Sequence, residues 1–338
     1  MRRGRARTLQ LALAFVWLLD AILQFQAFMF GRGFADMLRQ TATGNPAIIA
    51  GPISWSARLI AQHDVAANAA FAAIQLAVGL GIAWRPTLRF ALGLSIVWSV
   101  AVWWLGEGLG GLLTGTASPL NGAPGAVLLY ALLAVLLWPR RRDQGGTFVA
   151  AGAVGPLVAK LMWLVIWGGL AWLAILPATA APRALAGMVT EVSAGQPGWL
   201  AEIDGRLAGF LGHHGPGAAI LLAVVLAVVA AGIYLPPPAV RAVLGLAVVT
   251  AAALWLAQGL GGMLTGSATD PQSAPLLALL AVAYWPRPTH KPELQLQPQP
   301  EVQPPRSEPQ RSEPQPAERQ SQPREPLARE PQLTETSA

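Results

Sequence analysis

Apolar positions run through this chain in long blocks. Thr8–Phe30, Ala66–Trp84, Leu88–Leu105 and Ala123–Trp138 fill the first half, and Val154–Leu176, Gly217–Leu235, Ala239–Ala257 and Ala274–Trp285 fill the second. Most approach the roughly 20 residues that cross a bilayer as helix. The pattern predicts an all-α polytopic membrane protein with eight transmembrane helices. The last block is short, and about 12 residues reach only about 18 Å. Its helix is expected to start earlier, inside a glycine-rich phrase, or to sit where the bilayer is thinned. The first block is longer than the apolar core of a signal peptide and no small-x-small cleavage site follows it, so it reads as an uncleaved first span.

Between the blocks one phrase occurs twice, "LGEGLGGLLTGTASP" from Leu105 and "LAQGLGGMLTGSATDP" from Leu256. Thr114 and Thr265 are 151 residues apart, as are Pro46 and Pro197, His63 and His214, and Gly81 and Gly232. A constant offset between chemically similar segments marks an internal duplication. Each unit has the same plan: a first span, a long segment with a Gly-x-Pro turn and an amphipathic stretch ("ISWSARLIAQH" in the first copy), two spans joined by a tight turn, the glycine phrase and a last span. Four spans return each unit to the side it started from. The two repeats, 1–145 and 146–290, are therefore expected to be parallel four-helix bundles related by an axis along the membrane normal.

Charge adds the orientation. With an N-terminus in the cytoplasm, the inner segments hold 13 Lys and Arg and the outer segments 5, which by the positive-inside rule puts both termini in the cytoplasm. The pI near 10.7 therefore reflects membrane edges, and no nucleic-acid partner is expected. The partner implied is the lipid bilayer of a cell membrane. With no Cys, disulfides, thiol catalysis and Cys–metal sites are excluded. Residues 291–338 are rich in Pro, Gln, Glu and Arg and poor in large apolar residues, the composition of a disordered cytoplasmic tail.

The layout resembles that of DoxX-like membrane proteins: four spans, a long outer segment after the first, a tight turn between the second and third, and phrases such as "RFALGLSIVWSV". Where that family often shows a Gly and a Lys-Leu pair near the end of its first span, this chain has "DAILQFQAFMF" and "GGLAWLAILPA". The resemblance implies a non-catalytic membrane subunit assisting a redox or cell-envelope process, with a membrane or extracytoplasmic redox protein as partner. It maps no functional residue and specifies no cofactor.

Polar residues inside the spans are the candidates for function. Asp20 lies midway along the first span. Gln10, Trp17, Asp20 and Gln24 form one helical stripe that should face the bundle interior. Gln75 lies at a similar depth on the second span, so Asp20, Gln24 and Gln75 are read as one polar pocket. Ala171 and Leu226 replace Asp20 and Gln75 in the second copy, which assigns the pocket to the first half. The bland alternative is a protonated Asp20 acting as packing glue between helices. Glu107 and its counterpart Gln258 end the third span of each copy and are candidates for an outer mouth, or plain interfacial residues. Gly108, Gly110 and Gly111, with Gly259, Gly261 and Gly262, are read as packing glycines, with a broken turn as the alternative. His63, His213 and His214 are weak candidates for metal or haem, and duplication alone explains the equivalence of His63 and His214. No phosphate-binding loop, HExxH or GxSxG signature is present. The remaining alternative is a transporter or channel built around the Asp20 pocket.

Overall fold

The computed structural model describes residues 2–139 and 147–286. The expected tail from residue 291 lies outside them. Among the described residues the regular structure is helical throughout. In the first half α1 spans Arg2–Leu23, α2 Arg32–Ala42, α3 Ala47–Gln62, α4 Asp64–Ala83, α5 Leu88–Leu105 and α6 Ala126–Leu136. In the second half α7 spans Ala151–Val154, α8 Pro156–Ile175, α9 Pro177–Ala180, α10 Ala184–Val192, α11 Gly198–Gly232, α12 Pro237–Ala257 and α13 Ser273–Ala283.

Six helices are long and apolar enough to cross a membrane: α1, α4, α5, α8, α11 and α12. The blocks expected as fourth and eighth spans form α6 and α13, 11 residues each, or about 16 Å of helix. Neither helix extends back into the glycine phrase, contrary to the expectation for the last block. Instead, the residues before each helix are irregular and largely buried in protein (Ser118, Pro119 and Ala123 before α6, Ala268 before α13). That is the setting in which unpaired backbone is tolerated near a bilayer.

The first helix also ends early, at Leu23 rather than Phe30. The Gln24 amide still bonds the Asp20 carbonyl at 3.1 Å. The Gln24 carbonyl is taken instead by the Asn68 side chain of α4 at 2.6 Å, which satisfies one of the orphan acceptors of a helix end.

Local sequence explains the other boundaries. Pro46 and Pro197 stand at the N-caps of α3 and α11, and Pro156 and Pro237 occupy the first turns of α8 and α12. There the missing amide costs nothing. The stretch "ISWSARLIAQH" is helical within α3 up to His63. Its Ile53, Ala57 and Ile60 pack on Ala35, Leu38 and Ala42 of α2, so α2 and α3 form a hairpin. In the second half the corresponding stretch and the following span are one continuous 35-residue helix, α11, with Pro216 inside it.

One core runs across both halves, with Leu13, Trp17, Tyr130 and Leu133 on one side and Trp163, Leu244, Leu280 and Tyr284 on the other. Basic side chains mark one end of the bundle. Arg7 donates to the Ile82 carbonyl at 2.9 Å and also to that of Ala83, at the end of α4. Arg89 donates to the Pro139 carbonyl at 3.2 Å, and the Lys160 ammonium sits 5.2 Å from the centre of the Tyr234 ring.

The repeated phrase has the same backbone in both halves. All four residues of Gly108–Gly111, and all four of Gly259–Gly262, have positive φ, with Leu109 at 58° and Leu260 at 55°. A left-handed turn costs about 1–2 kcal/mol per residue bearing a Cβ, which is why three of each four positions are glycine. A Cβ on Gly110 would overlap the Pro124 carbonyl oxygen, and one on Gly261 would lie 2.7 Å from that of Pro271. The glycines therefore serve a left-handed turn pressed on the loop of the same half, the broken-turn alternative rather than close helix packing.

The loops that follow cross over. In the first, Ser118–Asn121 enters the second half. Thr179 bonds the Ser118 hydroxyl at 2.8 Å, Gln258 donates to the Pro119 carbonyl at 3.0 Å, and Leu120 packs among Leu185, Val189, Leu211 and Leu254. In the second, Thr269 and Asp270 enter the first half, where Gln24 donates to the Thr269 carbonyl at 3.4 Å.

Candidate functional site

A cavity of about 370 Å³ lies between α1, α4 and α5, with the α2–α3 hairpin along one side. Of the polar residues singled out from the sequence, Asp20, Gln24, Gln75 and Glu107 all line it. Helical spacing does this work. Trp17, Asp20 and Gln24 fall on one face of α1 and its C-terminal extension, and with Gln10 all are buried, at 6% exposure or less. The Trp17 indole donates to the Ser95 hydroxyl of α5 at 3.1 Å and its ring lies 4.4 Å from that of Tyr130. Gln10 donates to the Leu137 carbonyl at 2.9 Å. These contacts fix the rotation of α1 and so aim Asp20 inward.

Asp20 and Gln75 share the cavity wall but are not hydrogen-bonded to each other. Asp20 Oδ1, Gln24 Oε1, Gln75 Oε1 and Glu107 Oε2 are all buried oxygens without a partner among the described residues. The Tyr130 hydroxyl faces the Asp20 carboxyl but falls outside hydrogen-bond geometry and is itself unpaired. Unpaired buried acceptors each carry a desolvation cost of about 1–3 kcal/mol, so four around one space is a costly arrangement for the protein alone.

Asp270 and Thr269 also line the cavity. This corrects the assignment of the pocket to one half, because the second half contributes a third carboxyl. The correction follows from the crossing loop, which the sequence does not reveal. Asp270 Oδ1 accepts from the Gln272 amide at 2.7 Å and Oδ2 from the Thr269 hydroxyl at 2.9 Å, so its position is set by its own turn. Burial raises its pKa above the ordinary carboxylate value. Glu107 Oε1 accepts from the Val127 amide at 3.4 Å, beside the N-terminus of α6, where a negative charge is favoured. Its pKa is nevertheless raised to about 8, first by burial and then by the charge of Asp270, against the pull of the Val127 amide.

The rest of the wall is aromatic and aliphatic. Trp17, Phe34, Trp55, Phe71 and Trp98 all contribute, and among the described residues no Lys, Arg or His lines the space. Trp55 is 55% exposed and marks the rim on α3.

The other residues considered lie elsewhere. Gln258 bonds the crossing Ser118–Asn121 loop and does not line the cavity. His63, His213 and His214 are exposed. The His213 ring bonds the Gly209 carbonyl at 2.9 Å and His214 packs on Phe210. Among the described residues no group of three metal-ligating side chains is assembled. Asp204 of α11, which sequence reasoning passed over, is fully buried with both carboxyl oxygens unpartnered. Its amphipathic surroundings gave no signal of burial. No protein-family model, curated protein or solved structure matches the chain.

Proposed function

We propose that this chain is a non-catalytic, eight-span integral membrane protein of DoxX-like layout that binds a small ligand in the cavity around Asp20 and exchanges it, in the manner of a transporter. One observation carries this reading: buried, unpaired polar groups from α1, α4 and the end of α5 surround a ligand-sized space that a carboxyl from the other half also enters. Pockets of about 300–1,000 Å³ with few polar groups in apolar walls are the usual form of small-molecule sites. Convergence of both halves on one site is the arrangement expected of a transporter built from parallel repeats. Supporting the two-repeat reading are the paired left-handed turns and the reciprocal loops. Supporting the eight spans are α6 and α13, each continued by buried loop. With basic residues at the end opposite the cavity loops, the positive-inside rule places the cavity towards the outer side and both termini in the cytoplasm.

The absence of Cys makes the test direct. A cysteine at Ala101, on the cavity wall, should react with a small polar thiol reagent added from outside. A cysteine at the buried Ala14, off the wall, should not. A reconstituted Ala101→Cys protein should lose solute exchange on labelling. An inert Ala101→Cys, or reaction only from the cytoplasmic side, would remove the basis of this reading.

A further inference from the structure

The unpaired buried atoms on the cavity wall are one-sided in their chemistry. They are Asp20 Oδ1, Gln24 Oε1, Gln75 Oε1 and Glu107 Oε2, all oxygens that accept hydrogen bonds. Asp270 adds a third carboxyl, and among the described residues no basic side chain on the wall offsets the three. A ligand that satisfies such a wall must bring donors and positive charge. An anion would meet three acids, and a neutral acceptor would leave the oxygens as they are.

The apolar part of the wall narrows the class further. A bare metal ion needs six or more oxygens for Ca²⁺ or a strict octahedron for Mg²⁺, within a space far smaller than about 370 Å³. Here the oxygens share the wall with Trp17, Phe71 and Trp98. Aromatic side chains attract organic cations through the ring quadrupole and cover an apolar body.

We propose that the cavity is a binding site for an organic ammonium ion, whose N–H groups are received by Asp20, Glu107 and the glutamine oxygens while its apolar part lies against the aromatic wall. This rests on the ligand-binding reading above and adds the class of ligand. Asp270, held by its own turn, contributes a carboxyl from the second half. Asp20 is the central acceptor, since Glu107 and Asp270 already have one or more backbone partners.

Three probes of matched shape test it on the full chain purified in detergent: 2-phenylethylammonium, 2-phenylethanol and phenylacetate. Tryptophan fluorescence and thermal unfolding are the readouts. The ammonium probe should bind saturably and raise the unfolding temperature. The alcohol should bind at least about tenfold more weakly, the loss expected when one charge-assisted hydrogen bond of about 1.5–3 kcal/mol is removed. Phenylacetate should not bind. Asp20→Asn should weaken the ammonium probe at least about tenfold and leave the alcohol unchanged. That second measurement shows that the variant still folds and keeps its cavity.

Equal binding of alcohol and ammonium, or tighter binding of phenylacetate, would overturn the ammonium proposal and leave a cavity that binds something else. Unchanged ammonium binding in Asp20→Asn would overturn it too. No binding of any probe, with the Ala101→Cys side chain still reactive, would also reject the ammonium class while sparing the cavity reading. No binding together with an inert Ala101→Cys would end both.

Discussion

The two halves meet the same packing problem and solve it differently. In the first, the space between the hairpin and the spans is left open and lined with acids. In the second, Leu185, Val189 and Leu211 stand 151 residues after Phe34, Leu38 and Ile60, three residues of the cavity wall. There they close around Leu120, delivered by the crossing loop of the first half. Ala171 and Leu226 stand where the first half has Asp20 and Gln75, so neither of those polar groups is there to resist closure. The return loop carries Asp270 instead of an apolar plug. It is also shorter: Pro124 and Pro271 are 147 residues apart, where Thr114 and Thr265 are 151 apart. A four-residue difference in one loop, a carboxyl in place of an isobutyl group and the loss of two polar side chains separate a filled core from a candidate site.

The largest expected effect tests the filled half. Leu120→Ala removes the plug from the Leu185–Val189–Leu211 cluster and should cost about 2–5 kcal/mol, the range for truncating a buried leucine. Its signature is a fall in unfolding temperature together with new uptake of a small apolar probe by the second half. A fall of only a few tenths of a kcal/mol would mean the loop is not packed as described.

A second pair of variants should behave alike, because here the halves are the same. Gly110→Ala and Gly261→Ala each put a Cβ into a left-handed turn and against the carbonyl of Pro124 or Pro271. Each should cost about 1–3 kcal/mol. A large loss at one site and none at the other would break the equivalence of the two turns.

The legibility of these features in the sequence divides along the same lines. Asp20, Gln24 and Gln75 stood out because a carboxyl or amide is expensive in an apolar span, and helical spacing put them on an inward face. Equal depth placed Asp20 and Gln75 on one wall, although not in contact. Glu107 was visible as the charged member of a repeated phrase. Asp270 was not, because an acid in a Ser-Ala-Thr-Asp-Pro loop reads as a solvated turn and only the crossing of the loops brings it inward. The left-handed turn was hidden because Gly-Leu-Gly-Gly permits close packing as readily as positive φ. The continuity of α11 through Gly212–Gly217 also ran against local signals, since Gly and Pro at that density predict a break. The helix ends at Leu23, Ala126 and Ser273 were set by side chains from other elements and by buried loops, which hydropathy alone does not see.

The third prediction uses a position where one half carries an acid and the other its amide. Glu107 has its pKa raised to about 8 from an ordinary 4.5, mainly by burial, and its counterpart is the neutral Gln258. Above about pH 4.5 the unfolded chain releases this proton while the folded protein keeps it. Stability from this group is therefore greatest below pH 4.5 and falls as pH rises to about 8, after which it levels. Partial exposure of Glu107 screens the effect, and a loss on the order of 1 kcal/mol between pH 5 and 8 is expected in thermal unfolding. Glu107→Gln should flatten the profile over that window. A wild-type profile that rises from pH 5 to pH 8 would show that another group dominates.

The smallest expected effect on stability falls on the most distinctive residue. Asp20 Oδ1 has no hydrogen-bond partner, so Asp20→Asn removes no contact that holds helices together. Asp20→Leu replaces an unpaired polar group by apolar surface facing Trp17 and Phe71. If Asp20 were packing glue, Asp20→Leu would cost on the order of 1 kcal/mol. The open cavity predicts the reverse: Asp20→Asn within about 0.5 kcal/mol of wild type, and Asp20→Leu equal to it or more stable. A residue whose removal stabilises the fold but abolishes binding of the ammonium probe is retained for its site rather than for its packing. In the second half the same experiment has already been written into the sequence, as Ala171, and there the space is closed.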